Sequence, residues 1–174
     1  MYVLRCTGAL LRDVARYHLP AGDAGSATRL GDWYATRLNA GPRRYVLATS
    51  SLCLLSVVVP ARDLRSLPLR LVAAVDRLLA HIGVPDAARR DELAAMAEAR
   101  VAKTNSRSVL GSMAFLAEQA GEQLHDLPHR PGRTLGHVDA WLAEVSCGVL
   151  ELRTPAEAAL DLLRGPARAA GRRR

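Results

Sequence analysis

Ala102-Lys103-Thr104-Asn105-Ser106-Arg107-Ser108-Val109-Leu110-Gly111-Ser112-Met113 is the stretch on which the fold reading turns. It reads as a strand end, a polar turn and a helix start. Ala99, Val101 and Lys103 alternate weakly, as in a short strand. Beyond the turn, Val109, Met113, Leu116 and Ala120 recur at helical spacing, with Ser106 or Asn105 placed to cap the first turn. The stretch is also compositionally odd. Lys103 is the one lysine against twenty-three arginines, and Asn105 is one of two asparagines.

Working outward, Tyr2–Cys6 reads as a strand and Thr7 as the cap of a helix carrying Leu10, Leu11 and Val14 on one side. Ala21–Ala27 is a small-residue loop. Leu30, Tyr34 and Leu38 fall at i, i+4 and i+8, flanked by Trp33. That spacing predicts a helix from Thr28 to the Gly41-Pro42 stop. Arg43–Ala48 and Leu52–Val59 read as a hairpin about Thr49-Ser50-Ser51. A longer helix follows on Val72, Val75, Leu79 and Ile82 and ends at Gly83, and Pro85 opens another. Gly121 weakens the helix after the opening stretch, and His125–Gly132 reads as a loop. Thr134 starts a helix with Val138, Trp141 and Leu142 inward. Thr154-Pro155-Ala156-Glu157 is a capping box with proline at the first helical position. The expectation is one α+β domain over residues 1–165. It has a small mixed sheet of about four strands, including a hairpin, packed with about six helices. Residues 166–174 read as a basic, disordered tail.

Composition narrows the class. At 174 residues, 49% hydrophobic and only 4% aromatic, the chain can bury a core built mostly of Leu, Val and Ala. The net charge of +7 is uneven. Arg164, Arg168, Arg172, Arg173 and Arg174 follow the last acid, Asp161; the remaining 19 basic and 17 acidic residues leave only +2. Such a tail favours polyanions, nucleic acid among them. Cys6, Cys53 and Cys147 are odd in number and form no C-x-x-C pair, as expected of buried thiols in a reducing cytoplasm. No signal peptide is evident. Tyr45–Ala61 is uncharged for seventeen residues. It is short for a membrane span and is broken by Thr49-Ser50-Ser51, so two buried strands account for it better.

Four strings together resemble an uncharacterised bacterial family of domain-of-unknown-function proteins. They are Leu4-Arg5-Cys6-Thr7, Leu30-Gly31-Asp32-Trp33-Tyr34-Ala35, Thr49-Ser50-Ser51-Leu52, and Lys103 through Met113. The resemblance implies a shared fold and no activity. Similar members carry acidic or amide residues where this chain has Thr49-Ser50-Ser51, and Asn-Asp where it has Ala114-Phe115.

The candidate site is an anion site at Lys103, Thr104, Asn105, Ser106, Arg107 and Ser108. A helix N-terminus presents unpaired amides and a partial positive charge, and Lys103 and Arg107 add full charges. Asp32, Trp33 and Thr7 are supporting candidates. The P-loop spacing is missing, so no nucleotide is implied. His125, Asp126, His129 and His137 lack the spacing of a metal site, and no cofactor is expected. The reading is a non-enzymatic binding or regulatory protein for a phosphate-bearing partner. One alternative is a small enzyme using Lys103 and Arg107 on an anionic substrate; another is a protein–protein module with no ligand.

Overall fold

The structure, a computed structural model, describes residues 1–151 and 153–165. The predicted tail, 166–174, lies outside the described residues. Five strands form one mixed sheet: β1 (Tyr2–Cys6), β2 (Trp33–Ala40), β3 (Arg43–Ser50), β4 (Ser56–Pro60) and β5 (Ala99–Lys103). Their spatial order is β4-β3-β2-β1-β5. β1 runs parallel to both β2 and β5, while β2, β3 and β4 form an antiparallel meander. Among the described residues six α-helices cover this sheet: α1 (Gly8–Val14), α2 (Leu67–His81), α3 (Asp86–Ala95), α4 (Arg107–Asp126), α5 (Leu135–Ala143) and α6 (Pro155–Arg164). No described helix is long and apolar enough to cross a membrane.

The strand beyond the four expected is β2, in the segment expected to be a helix. Residues 34 and 38 share a face in a strand as well as in a helix, because four is a multiple of the strand period of two. Trp33 and Ala35 then turn to the opposite face, where both are fully buried. Gly41 at φ +57 and Pro42 form the two-residue connection to β3, with Ala40 paired to Arg43. A positive first φ and proline's fixed negative φ suit a hairpin turn. Thr28 consequently caps nothing; its hydroxyl donates to the Gly31 carbonyl at 2.7 Å within a tight turn.

Other boundaries moved less. Thr7 stands at the N-cap of α1, yet its side chain makes no capping bond. Helix α4 continues through Gly121 to Asp126, held by Leu124 in the core. Thr49 and Ser50 belong to β3, so the hairpin turn begins at Ser51. The capping box of α6 forms in full: Glu157 N–H donates to Thr154 Oγ1 at 3.2 Å, and Thr154 N–H to Glu157 Oε2 at 2.9 Å.

Two apolar layers result. One side of the sheet, with Leu4, Trp33, Val46 and Val57, packs on α1, α2, α3 and α6. The other, with Tyr34, Tyr45, Leu47 and Val58, packs on α4 and α5.

Candidate functional site

Strand β5 stops at Lys103, and the chain turns into α4 through Thr104-Asn105-Ser106. Ser106 is extended (φ −117, ψ 116), and its Oγ accepts from the Val109 N–H at 3.3 Å. Twenty residues make α4 about 30 Å long, enough for a full helix dipole. Next to β5, β1 stops at Cys6 and leads into α1. The two helices leave neighbouring parallel strands toward opposite faces of the sheet, since α1 sits in the first apolar layer and α4 in the second. Sheets of this kind commonly hold ligands where neighbouring parallel strands lead into helices on opposite faces.

The family-like strings meet at this point. Arg5 is in register with Tyr34, Tyr34 with Thr49, and Thr49 with Ser56, so a polar row crosses the sheet under α4. Arg5 Nε donates to Asp32 Oδ2 at 2.5 Å, and its Nη1 to the Lys103 carbonyl at 3.3 Å. Asp32 Oδ1 accepts from Ser26 N–H at 3.1 Å and Ser26 Oγ at 2.7 Å. The Tyr34 hydroxyl donates to Asn105 Oδ1. Burial raises the Tyr34 phenol above its ordinary value and Asp32 adds to this, while Arg5 and the hydrogen bonds at Asn105 and Ser106 oppose it. Behind them, Thr49 Oγ1 and Ser56 Oγ lie 2.9 Å apart, both buried. Gly31 packs against the β3–β4 turn so closely that a Cβ would meet Ser51 Oγ at 2.5 Å and Leu52 Cγ at 2.8 Å. Its φ of +80 also favours glycine.

The predicted residues divide around this hub. Asn105 and Asp32 belong to it, and Asp32 pairs with Arg5. Lys103 is exposed and, by alternation with Val101, stands on the α1 side of the sheet. Thr7 Oγ1 lies 3.2 Å from Thr36 Oγ1. Trp33 is fully buried on the α1–α2 face, with no surface open to a ligand. Thr104 and Ser106 are half-buried, while Arg107 and Ser108 are exposed. Arg107 and Ser108 line a groove of about 490 Å³ beside α4, with Gly111, Ser112, Phe115 and Val149. A smaller cleft of about 140 Å³ shares Ser108, Ser112 and Val149 and extends the groove to Leu52. Three large apolar side chains are exposed along it: Leu52, Phe115 and Val149. Among the described residues Arg107 has no ion-pair partner.

Arg5 and Ser26 were not singled out by sequence reasoning, and Tyr34 was weighed only with Asp32 and Trp33 as a stacking aromatic. Arg5 and Tyr34 lie inside quoted strings, but no spacing within one chain ties residues 5, 26, 34 and 105 together. The three cysteines are free and buried, and burial pushes the Cys6 thiol up to about 12. His125 and His129 are near neighbours with ring centres 6.5 Å apart, and no set of three metal-ligating side chains converges among the described residues.

Fold and site together define a small α+β domain whose polar residues gather where its parallel strands end. The chain belongs to the family described as a domain of unknown function, DUF6933, whose model matches residues 3–158. No curated protein and no solved structure matches it.

Proposed function

We propose that this protein binds an anionic, phosphate-bearing partner at the turn from β5 into α4 and catalyses no reaction there. One observation carries the reading. Arg107 is an exposed guanidinium with no carboxylate partner among the described residues, at the positive end of a 20-residue helix and on the wall of the groove. An anion there meets the guanidinium, the first-turn amides of α4 and the Ser108 hydroxyl. Thr104, Asn105 and Ser106 shape the turn, and Lys103 adds long-range attraction from the α1 side. Phe115 and Val149 offer apolar surface to the partner's body.

Binding is favoured over catalysis by what lines the groove. Its titratable side chains are Arg107 and Cys147, and burial raises the Cys147 thiol above its ordinary value. Lys103, which an enzyme reading needs at the reacting centre, is on neither groove wall. The arginines beyond Gly165 extend the same preference to polyanions such as nucleic acid. Truncation after Gly165 should then flatten the salt dependence of oligonucleotide binding.

The test is calorimetric titration of the full chain with octyl phosphate, with octanol as the uncharged control. Saturable binding of the phosphate, weakened about tenfold or more by Arg107→Ala, is expected from the loss of a charge-assisted contact. Equal binding of octanol, or an unchanged affinity in the variant, refutes it.

A further inference from the structure

Helix α4 has an outer face that its own chain leaves uncovered. Arg107, Gly111, Ala114, Phe115 and Glu118 recur at helical spacing, opposite the buried Met113 and Leu116, and all five are exposed. Phe115 is 43% exposed and borders the groove whose other wall holds Val149, itself 61% exposed. Arg107 starts this stripe, and Glu118 follows three turns later, about 16 Å along the axis. Neither makes an ion pair among the described residues. At that separation they cannot pair with each other.

Gly111 supplies a second, independent observation. It lies inside the helix, where glycine is less favourable than alanine. Its φ is not positive, and a Cβ there would meet nothing within 4 Å. The packing of a single copy therefore gives no reason for glycine at this position. Close approach of another helix does, because the distance between packed helices depends on the side chains at their crossing.

We propose that this face binds a second copy of the chain, with the two α4 helices antiparallel about a two-fold axis beside Gly111 and Ala114, and Arg107 of each copy against Glu118 of the other. A two-fold interface must be self-complementary. This stripe is so: positive at one end, negative at the other, and uncharged between. Antiparallel pairing that sets Arg107 opposite Glu118 also sets Gly111 opposite Ala114, because the two pairs share one midpoint along the helix. The small residues then meet at the crossing. Each Phe115 lies over the other copy's groove, beside Ser108, Gly111 and Val149. One helix face with its flanking side chains makes a small interface, so the association is reversible. The interface needs no phosphate. Where the phosphate site proposed above is occupied, phosphate and the second copy compete for Arg107.

The experiment is analytical ultracentrifugation of the full chain in phosphate-free buffer, from about 1 µM to about 1 mM. A monomer–dimer equilibrium is expected. Arg107→Glu and Glu118→Arg should each weaken it at least about tenfold, because each sets like charges together twice. Mixing the two single variants should restore association, since one copy then carries both acids and the other both arginines. The double variant Arg107→Glu, Glu118→Arg should restore it as well. Gly111→Leu should weaken the dimer at least about tenfold while raising the Tm of the monomer, two opposite effects that a role within one copy does not give. Arg90→Ala, an exposed arginine on α3, should change nothing. Arg107 and Glu118 are exposed, so melting curves of their variants should match that of the unaltered chain. The proposal is overturned if the chain stays monomeric throughout, if the mixed single variants stay apart, or if each single variant dimerises as tightly as the unaltered chain. Octyl phosphate binding is measured separately on the monomeric Glu118→Arg variant, so either reading can fail alone.

Discussion

The two faces of the sheet are built from the same strands and do different work. The face under α1, α2, α3 and α6 is sealed, with Leu30, Trp33, Leu71 and Leu79 essentially unexposed. Its one buried acid is fully employed: Glu92 accepts from the Arg29 N–H at 2.8 Å and the Leu30 N–H at 3.1 Å, closing the turn that leads into β2. The face under α4 and α5 carries the polar row, the exposed Phe115 and Val149, the groove beside Arg107, and a buried acid of another kind. Asp139 on α5 accepts from the Val58 N–H of the edge strand β4 at 2.7 Å and lines a cavity of about 230 Å³ with Arg77, His81 and His137. The contrast separates stability from recognition. Close packing on one face holds the strands, so the other can tolerate clefts and unpaired charge.

The largest expected break in this contrast is Trp33→Ala. It empties a filled core position and should cost about 3–5 kcal/mol in chemical denaturation. Phe115→Ala on the open face should stay within about 0.5 kcal/mol. Similar losses at both positions would show that the open face is core after all.

Next in size is Asp32→Ala. It leaves Arg5, whose side chain is only 15% exposed, without its carboxylate. Breaking a largely buried pair from one side costs about 3 kcal/mol. The double variant Arg5→Met, Asp32→Ala should recover part of that loss, and no recovery would show that the pair is not coupled.

The Asp139 carboxyl sharpens the comparison through pH. Burial pushes it up to about 7 from its ordinary 3.8, with the Val58 N–H and Arg77 opposing. A raised value means that the folded chain holds the proton more tightly than the unfolded chain does. The stability from this group is therefore full below about 4 and is lost as pH rises through about 7. Asp139→Asn should flatten the stability profile across that window. An unchanged profile in the variant sinks the assignment.

The smallest effect is expected at Ser106→Ala, which removes the cap of α4. It should lower stability by about 1 kcal/mol and weaken octyl phosphate binding only slightly, because Arg107 remains. A full loss of binding there would move the site from Arg107 to the turn itself.

Local rules were enough for most elements. Residues at helical spacing marked α2 and α4, Thr154 and Glu157 marked the start of α6, and the uncharged run after Tyr45 marked two strands. In each, propensity, pattern and end signals agree, and neighbours along the chain carry the information. β2 was misread because Leu30, Tyr34 and Leu38 satisfy both periods. Only the pairing of Trp33 with Ser50 and of Leu4 with Trp33, from strands distant in sequence, selects the strand.

The candidate site shows the same division. The sequence by itself determined that Lys103 to Ser108 is a strand-to-helix turn capped by Ser106 or Asn105, because those signals are local; the structure selects Ser106. Tertiary structure alone decided that Arg5 takes Asp32, that Tyr34 reaches Asn105, and that Arg107 stands beside a groove, unpaired among the described residues. Lys103 and Arg107, close in sequence, fall on different sides because β5 and α4 orient side chains by their own periods. Charge contacts act through space, and the folded sheet sets those distances.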